Sequence, residues 1–241
     1  MTSIYTQILQ SKLEKRKLLA ILLDPDKIHW DDLGYLIEKI NQSPATHIFI
    51  GGSHVENNIL DDLIITLKQK INLPIVLFPG NPSQISNHAD AILFLSLISG
   101  RNSDYLIDHQ VEAAPILKKT KLEIISTGYM LIESGGETAV ERISKTKPLD
   151  RTNLDFALAT AQAGEMLGNK LIYLEAGSGA KQAVPLEMIQ KIAQNIEIPL
   201  IVGGGIIELQ GIQNAYKAGA DLVVIGTAFE NDADFFNMDK K

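Results

Sequence analysis

The chain contains no cysteine. Disulfide frameworks, thiolate nucleophiles, iron–sulfur clusters and cysteine-bound zinc are therefore excluded together, and the absence suits a reducing compartment. Basic residues are in deficit, with 22 Lys+Arg against 29 Asp+Glu and a net charge of −7. No general electrostatic grip on nucleic acid is expected, and an anionic ligand has to be held by local groups. Long hydrophobic runs are also missing: the longest, Ala91–Leu97 with Ser96 inside it, is far short of the roughly 20 residues of a spanning helix. The N-terminus, Met1-Thr-Ser-Ile-Tyr, has no basic start, apolar core or cleavage site, which reads as cytoplasmic. Histidines 29, 47, 54, 88 and 109 show no metal-binding spacing, and only His54 is placed near a site, as a weak substrate contact. What remains is 241 residues, 45% apolar and 21% charged, enough for one large α/β domain or two small ones.

Short β-branched and Leu-rich runs recur at βα spacing: Leu18–Asp24, His47–Ser53, Pro74–Pro79, Ala91–Leu97, Leu122–Tyr129, Lys170–Glu175, Pro199–Gly203 and Asp221–Gly226. Amphipathic stretches separate most of them, such as Leu33, Leu36, Ile37 and Ile40. Near-continuous apolar strands between helices imply a parallel sheet covered by helices, and eight such units match a (β/α)8 TIM barrel, typically ~250 residues. The reading is a single domain over 1–241, with Thr2–Lys17 as a leading helix across the barrel bottom. Only ten residues separate Gly80 from Ala91, so the third helix is short or missing. After the fifth strand a long polar connection, Ile132 to Asp150, precedes a helix starting near Arg151-Thr152-Asn153.

Active sites of this fold lie at the C-terminal ends of the strands. Gly203-Gly204-Gly205, Gly226-Thr227 and Gly177-Ser178-Gly179 form a phosphate cradle there, because glycines let backbone N–H groups approach an anion and short helices after the last two strands add their positive ends. Tight βα turns explain Gly226 alone, but they explain three consecutive glycines poorly. Asp24 ends the first strand; it suits Mg2+, with Ser53 facing the same site, or it caps a turn or pairs with Lys27. Asp26 reads as a helix cap. Glu175 is the candidate general base, with Tyr173 on the same strand face two residues earlier; the alternatives are a buried ion pair and plain barrel packing. Leu95, Leu97 and Ile98, beside the missing helix, offer an apolar trench from mouth to flank.

These segments carry a resemblance. Leu23-Asp24-Pro25-Asp26-Lys27, Phe49-Ile50-Gly51-Gly52-Ser53, Ser126-Thr127-Gly128-Tyr129, Tyr173-Leu174-Glu175-Ala176-Gly177-Ser178-Gly179, Val202-Gly203-Gly204-Gly205-Ile206 and Val224-Ile225-Gly226-Thr227 resemble the geranylgeranylglyceryl phosphate synthase family, which includes the bacterial heptaprenylglyceryl phosphate synthases. The resemblance implies prenyl transfer: sn-glycerol 1-phosphate attacks C1 of an all-trans polyprenyl diphosphate through its 3-hydroxyl. It further implies that Asp24 and Ser53 hold Mg2+ as the cofactor, and that Tyr173, Leu174, Glu175, Ala176, Gly177, Ser178, Gly179, Gly204, Gly205, Gly226 and Thr227 bind glycerol phosphate, with Glu175 and Tyr173 catalytic. Archaeal members often carry a Lys where Leu22 stands, so part of the anion grip comes from elsewhere. A homo-oligomer is the family expectation, and a long-tailed product is consistent with transient membrane contact.

The physical reading agrees. An allylic diphosphate develops positive charge at C1 and negative charge on its leaving group, so electrostatic neutralisation and positioning dominate. The DDxxD motif of helical prenyl synthases is absent, and Asp31-Asp32 and Asp61-Asp62 read as helix-start caps. The principal rival is a sugar- or polyol-phosphate isomerase or epimerase on the same barrel, for which an acid after the fifth strand is expected where Ser126-Thr127 stand. A Schiff-base aldolase needs a Lys at a strand C-terminal end, and Lys170 opens the sixth strand at the wrong face. A flavin-binding or non-catalytic phosphate barrel would be told apart by colour.

Overall fold

The computed structural model describes residues 3–52 and 57–237. Eight parallel strands close into a barrel in sequence order: β1 (Leu18–Leu23), β2 (His47–Ile50), β3 (Ile75–Leu77), β4 (Ala91–Leu97), β5 (Glu123–Leu131), β6 (Leu171–Glu175), β7 (Leu200–Gly203) and β8 (Leu222–Ile225), with β8 paired to β1. The strands are apolar on both faces because both faces are covered. Alternate residues divide cleanly between two cores. Leu18, Ala20, Phe49, Leu93, Ile125 and Leu171 fill the barrel interior. Leu19, Ile21, Ile48, Ile75, Ile172 and Val202 pack outward against the helices.

The floor of the barrel is a plug. Helix α1 (Ile4–Leu13) sends Ile4 and Ile8 into the interior core. Glu123, the first residue of β5, fixes its start: its carboxylate accepts from the N–H groups of Ile4 (2.6 Å) and Tyr5 (3.0 Å) and from the Ser3 hydroxyl (2.7 Å). A negative group on the free N–H groups of a first turn also opposes the helix dipole favourably. At the other end Lys12 pairs with Asp221 at 3.1 Å. The helix is shorter than the Thr2–Lys17 stretch expected from sequence, because Lys15, at φ 57°, turns the chain toward β1.

The outer layer comprises α2 (Leu33–Gln42), α3 (Asn57–Lys70), α4 (His109–Leu117), α5 (Ala139–Ser144), α6 (Leu154–Met166), α7 (Leu186–Ala193), α8 (Leu209–Ala218) and α9 (Thr227–Asn231). No helix joins β3 to β4 among the described residues, as the short spacing predicts. Instead Gln84, 2% exposed, staples the connection: it accepts from Gly80 N–H (3.0 Å) and donates to the Gly52 carbonyl (2.8 Å). The flank of the barrel beside β3 and β4 is thereby left without its usual cover.

Several local expectations are corrected. β5 runs to Leu131, so Ser126 and Thr127 lie mid-strand and not at its end. Gly128 is a packing gap: a methyl there would meet Asn169 Nδ2 and Ile98 Cδ1, each at 2.9 Å. The polar connection after β5 contains α5, capped by Thr138, whose hydroxyl accepts from Glu141 N–H at 3.2 Å. Helix α6 starts where expected, with Asn153 Oδ1 accepting from Phe156 N–H at 3.1 Å. Asp24, not Asp26, caps the one-turn helix Pro25–Lys27. Asp32 occupies the N-cap position of α2 without a side-chain capping bond. Asp61 and Asp62 lie inside α3, past its first turn. No helix among the described residues is long and apolar enough to cross a membrane.

Candidate active site

A single cavity of about 530 Å3 runs from the strand C-terminal ends to the uncovered flank. Its size is that of a small-molecule site. Asp24, Lys27, Glu175 and Glu230 line it beside the strand ends, and Glu137 and Arg142 line it beside α5.

Strand β6 carries the chemistry. Glu175 and Tyr173 share a face, two residues apart, and both line the cavity. Tyr173 is fully buried and stacks on Phe78 with ring centroids 5.3 Å apart, while Tyr129 meets it edge-on at 5.4 Å. This aromatic triad forms the cavity floor. Its pairing follows from register, since Tyr129 and Tyr173 are partners across β5 and β6. The Tyr173 hydroxyl has no hydrogen-bond partner of normal geometry among the described residues, although it lies beside the Glu175 carboxylate. A buried hydroxyl in that state is costly unless a ligand completes it.

Glu175 is 6% exposed and no cation lies against it among the described residues, so the buried ion pair weighed from sequence is not formed there. Its Oε1 accepts from Gly177 N–H at 2.6 Å. Burial raises its pKa to about 7, against the opposing pull of the Gly177 hydrogen bond and of the nearby Tyr173 hydroxyl. A carboxylate poised there suits proton transfer near neutrality.

The glycine turns close round this pair. Gly204 and Gly205 adopt φ +79° and +69°, conformations that side chains rarely tolerate, and a Cβ on Gly204 would stand 2.3 Å from Glu175 Oε1 and 2.6 Å from Gly177 N. Ser178, Gly179, Gly226 and Thr227 complete the wall, with the Ser178 and Thr227 hydroxyls facing each other at 3.5 Å. Successive backbone N–H groups around positive-φ glycines make an anion-binding concavity. The start of α9 stands directly on this wall, with Gly226 as its N-cap, whereas α8 begins only at Leu209, beyond the glycines. Leu174 and Ala176, which the motif reading groups with the binding residues, face the helix layer and do not line the cavity. Gly177 contributes through the turn that its φ of +100° permits.

At the mouth, Asp24 lines the cavity at the end of β1. Oδ1 accepts from Asp26 N–H at 3.3 Å and Oδ2 lies 3.5 Å from Lys27 Nζ, so the cap and the ion pair weighed from sequence both exist, with the carboxylate still facing the cavity. Ser53 and His54 lie outside the described residues. No group of three His, Asp or Glu able to hold a metal occurs among the described residues.

The apolar arm lies against β4 and the uncovered flank. Pro79, Pro82, Ile85, Ile92, Leu95 and Leu97 line it, together with Ala113 and Leu117 of α4. Ile98, expected here, instead packs beneath Gly128 and Gly164. Val140 and Ile143 of α5 contribute to the wall; six residues inside a polar stretch gave no periodic signal to find them. His109, which the sequence reading did not place near the site, also lines the arm, edge-on to Tyr105 at 4.7 Å. Glu133, the first acid after β5, is exposed and off the cavity, whereas Glu137 in the same connection lines it.

Comparison with known proteins agrees with this geometry. The PcrB family model matches residues 10–240. A geranylgeranylglyceryl phosphate synthase from Flavobacterium johnsoniae is 73% identical over 237 residues, covering 98% of each chain. One from Zunongwangia profunda is 48% identical, covering 96% of this chain and 98% of its own. The crystal structure of (S)-3-O-geranylgeranylglyceryl phosphate synthase from Thermoplasma acidophilum, in complex with its substrate sn-glycerol-1-phosphate, superposes with a TM-score of 0.92 at 31% identity, covering 98% of this chain and 95% of that one. Matches to the family model and to relatives along nearly the whole length mean that the chain belongs to the PcrB family.

Proposed function

We propose that the protein joins sn-glycerol 1-phosphate to an all-trans polyprenyl diphosphate, with geranylgeranyl diphosphate as the first donor to test, forming an ether and releasing diphosphate. The observation that carries this reading is the continuity of one cavity from a glycine-walled anion cradle, past Glu175 and Asp24, into an apolar arm. An isomerase of small sugar phosphates has no use for that arm. The relatives of the same family, and the substrate complex of one of them, support it.

In this reading the turns at Ser178–Gly179, Gly204–Gly205 and Gly226–Thr227 bind the phosphate of glycerol phosphate through backbone N–H and hydroxyl groups. The Tyr173 hydroxyl and Glu175 then orient the glycerol hydroxyls. The acceptor 3-oxygen forms a bond to C1 of the donor while the bond from C1 to the diphosphate oxygen breaks; the electron pair leaves with diphosphate, and the hydroxyl proton passes to Glu175. Phe78, Tyr129 and Tyr173 line the same cavity as an aromatic floor beneath the reacting groups.

Asp24 fits Mg2+: one carboxylate at the cavity mouth with waters and substrate phosphates is an ordinary coordination set for that ion. Mg2+ held there, with Ser53 as its second protein ligand, would neutralise charge on the departing diphosphate. A cytoplasmic homo-oligomer drawing its donor from a membrane surface belongs to the same reading.

The test is direct. Purified protein is incubated with Mg2+, sn-glycerol 1-phosphate and geranylgeranyl diphosphate, and the products are analysed by mass spectrometry, followed by longer donors. The reading expects the prenyl glyceryl ether phosphate and one diphosphate per turnover, abolished or shifted to higher Mg2+ by Asp24→Ala. No ether with any donor overturns it.

A further inference from the structure

Lys27 and Glu230 are charged side chains on the cavity wall with no task in the mechanism above. Lys27, next to the β1 end, places Nζ 3.0 Å from Glu230 Oε2 and 3.5 Å from Asp24 Oδ2. Glu230 belongs to α9, which follows β8, and β8 is the barrel neighbour of β1. All three residues line the cavity. The two carboxylates are mostly covered, with side chains 19% and 16% exposed, whereas that of Lys27 is 47% exposed.

The arrangement has a definite electrostatic content. Two carboxylates converge on one ammonium at the place where a divalent cation and a diphosphate have to arrive. Arg142 is the other Lys or Arg on the described wall, and it belongs to α5, near Glu137 at 3.8 Å. A flexible four-carbon stem with a point charge can change partners with little backbone movement.

We infer that Lys27 is a resident cation that exchanges partners: in the free protein its ammonium neutralises Asp24, and when a divalent cation takes Asp24 the ammonium turns to the diphosphate oxygens, with Glu230 tethering it throughout. Lys27 is then a diphosphate-binding residue and Glu230 a positioning residue. The inference deepens the proposed function by naming who holds the leaving group, and it rests on that reading for the metal at Asp24. The tether matters because it keeps the charge at the cavity wall during exchange. Without Glu230 the ammonium would have Asp24 alone and would compete with the metal more strongly.

The exchange makes opposite predictions for two ligands. Lys27→Met removes a competitor for Asp24, so Mn2+ alone, followed by electron paramagnetic resonance, binds about two- to fivefold more tightly, the scale of a partly exposed ion pair. The same variant binds inorganic pyrophosphate about tenfold or more weakly by calorimetry at saturating Mg2+, the scale of a lost charge-assisted hydrogen bond. Glu230→Gln is expected to weaken Mn2+ binding while pyrophosphate binding stays within about threefold. Thermal melting and circular dichroism verify that each variant is folded, and Lys27→Gln serves if Lys27→Met is not. Shifts in the same direction for both ligands, or no shift in either, overturn the exchange. Asp24→Ala separates the two claims: loss of Mn2+ binding there leaves the metal assignment intact whatever Lys27 does, while unchanged Mn2+ binding removes the metal from Asp24 and the exchange with it.

Discussion

Glu175→Gln tests the chemistry and the physics of burial in one variant. The substitution keeps the shape of the side chain, and its amide oxygen can still accept from Gly177 N–H, so the turn into the glycine wall should persist. What disappears is the titration. In the native protein the carboxyl pKa is raised from 4.5 to about 7, so the folded state holds its proton across a range where the unfolded chain has released it. A raised carboxyl pKa makes ionisation unfavourable to folding: the penalty is absent below about pH 4.5, grows through the interval and is fully present above about pH 7. Its full size is about 3 kcal/mol. The variant should therefore melt with the wild type near pH 4.5 and well above it at pH 8. Catalysis should move the other way. General-base removal costs ~10²-fold or more, and the wild-type kcat/KM should fall about tenfold for each pH unit below 7 as Glu175 takes up its proton. Substrate phosphate titrates near pH 6 in both proteins, so the ratio of the two pH profiles isolates Glu175. Turnover of the variant within about threefold of wild type, with a flat ratio from pH 5.5 to 8.5, would refute the base assignment. A melting gap that does not widen with pH would refute the account of its burial.

Tyr173→Phe removes a buried hydroxyl with no well-formed partner; melting should be unchanged or slightly higher, while KM for glycerol phosphate rises about tenfold, the scale of one hydrogen bond to substrate. Gly204→Ala forces a side chain into φ +79° and against Glu175 Oε1 and Gly177 N, so a loss of about 1–3 kcal/mol in denaturant unfolding should accompany at least ~10²-fold loss of turnover. Ala113→Trp fills the apolar arm beside Leu117; KM for geranylgeranyl diphosphate should rise about tenfold or more while inhibition by inorganic pyrophosphate is kept, with a stability cost of about 1–3 kcal/mol from overpacking. Equal loss of both ligands would show that the arm does not house the prenyl chain.

The barrel was legible because its strands are buried on both faces and therefore read as short apolar runs at regular spacing. Ala91–Leu97 was read with its true ends, and period-two geometry alone placed Tyr173 and Glu175 together. The missing helix after β3 followed from chain length. Other features were hidden for physical reasons. Gly128-Tyr129 looks like the end of a strand, yet the glycine is there to admit Ile98 and Asn169, and the apolar run of Met130, Leu131 and Ile132 carries β5 onward. Helix α5 is too short for a periodic signature, so its contribution to the apolar arm was invisible. Leu174 and Ala176 sit in the most specific motif, but strand alternation turns them outward. The Lys27–Glu230 contact spans 203 residues and depends on barrel closure between β8 and β1, which no local pattern reports.

The central claim is that one cavity orders glycerol phosphate against a prenyl diphosphate in a single handed arrangement. Initial rates of ether formation with geranylgeranyl diphosphate and Mg2+, measured with sn-glycerol 1-phosphate and in parallel with sn-glycerol 3-phosphate, test it most directly. Product is expected from the 1-phosphate, with kcat/KM at least about a hundredfold above that of its enantiomer, because the backbone cradle fixes the phosphate while Glu175 and Tyr173 fix the hydroxyls. Equal rates with both enantiomers, or no ether from either, would contradict it.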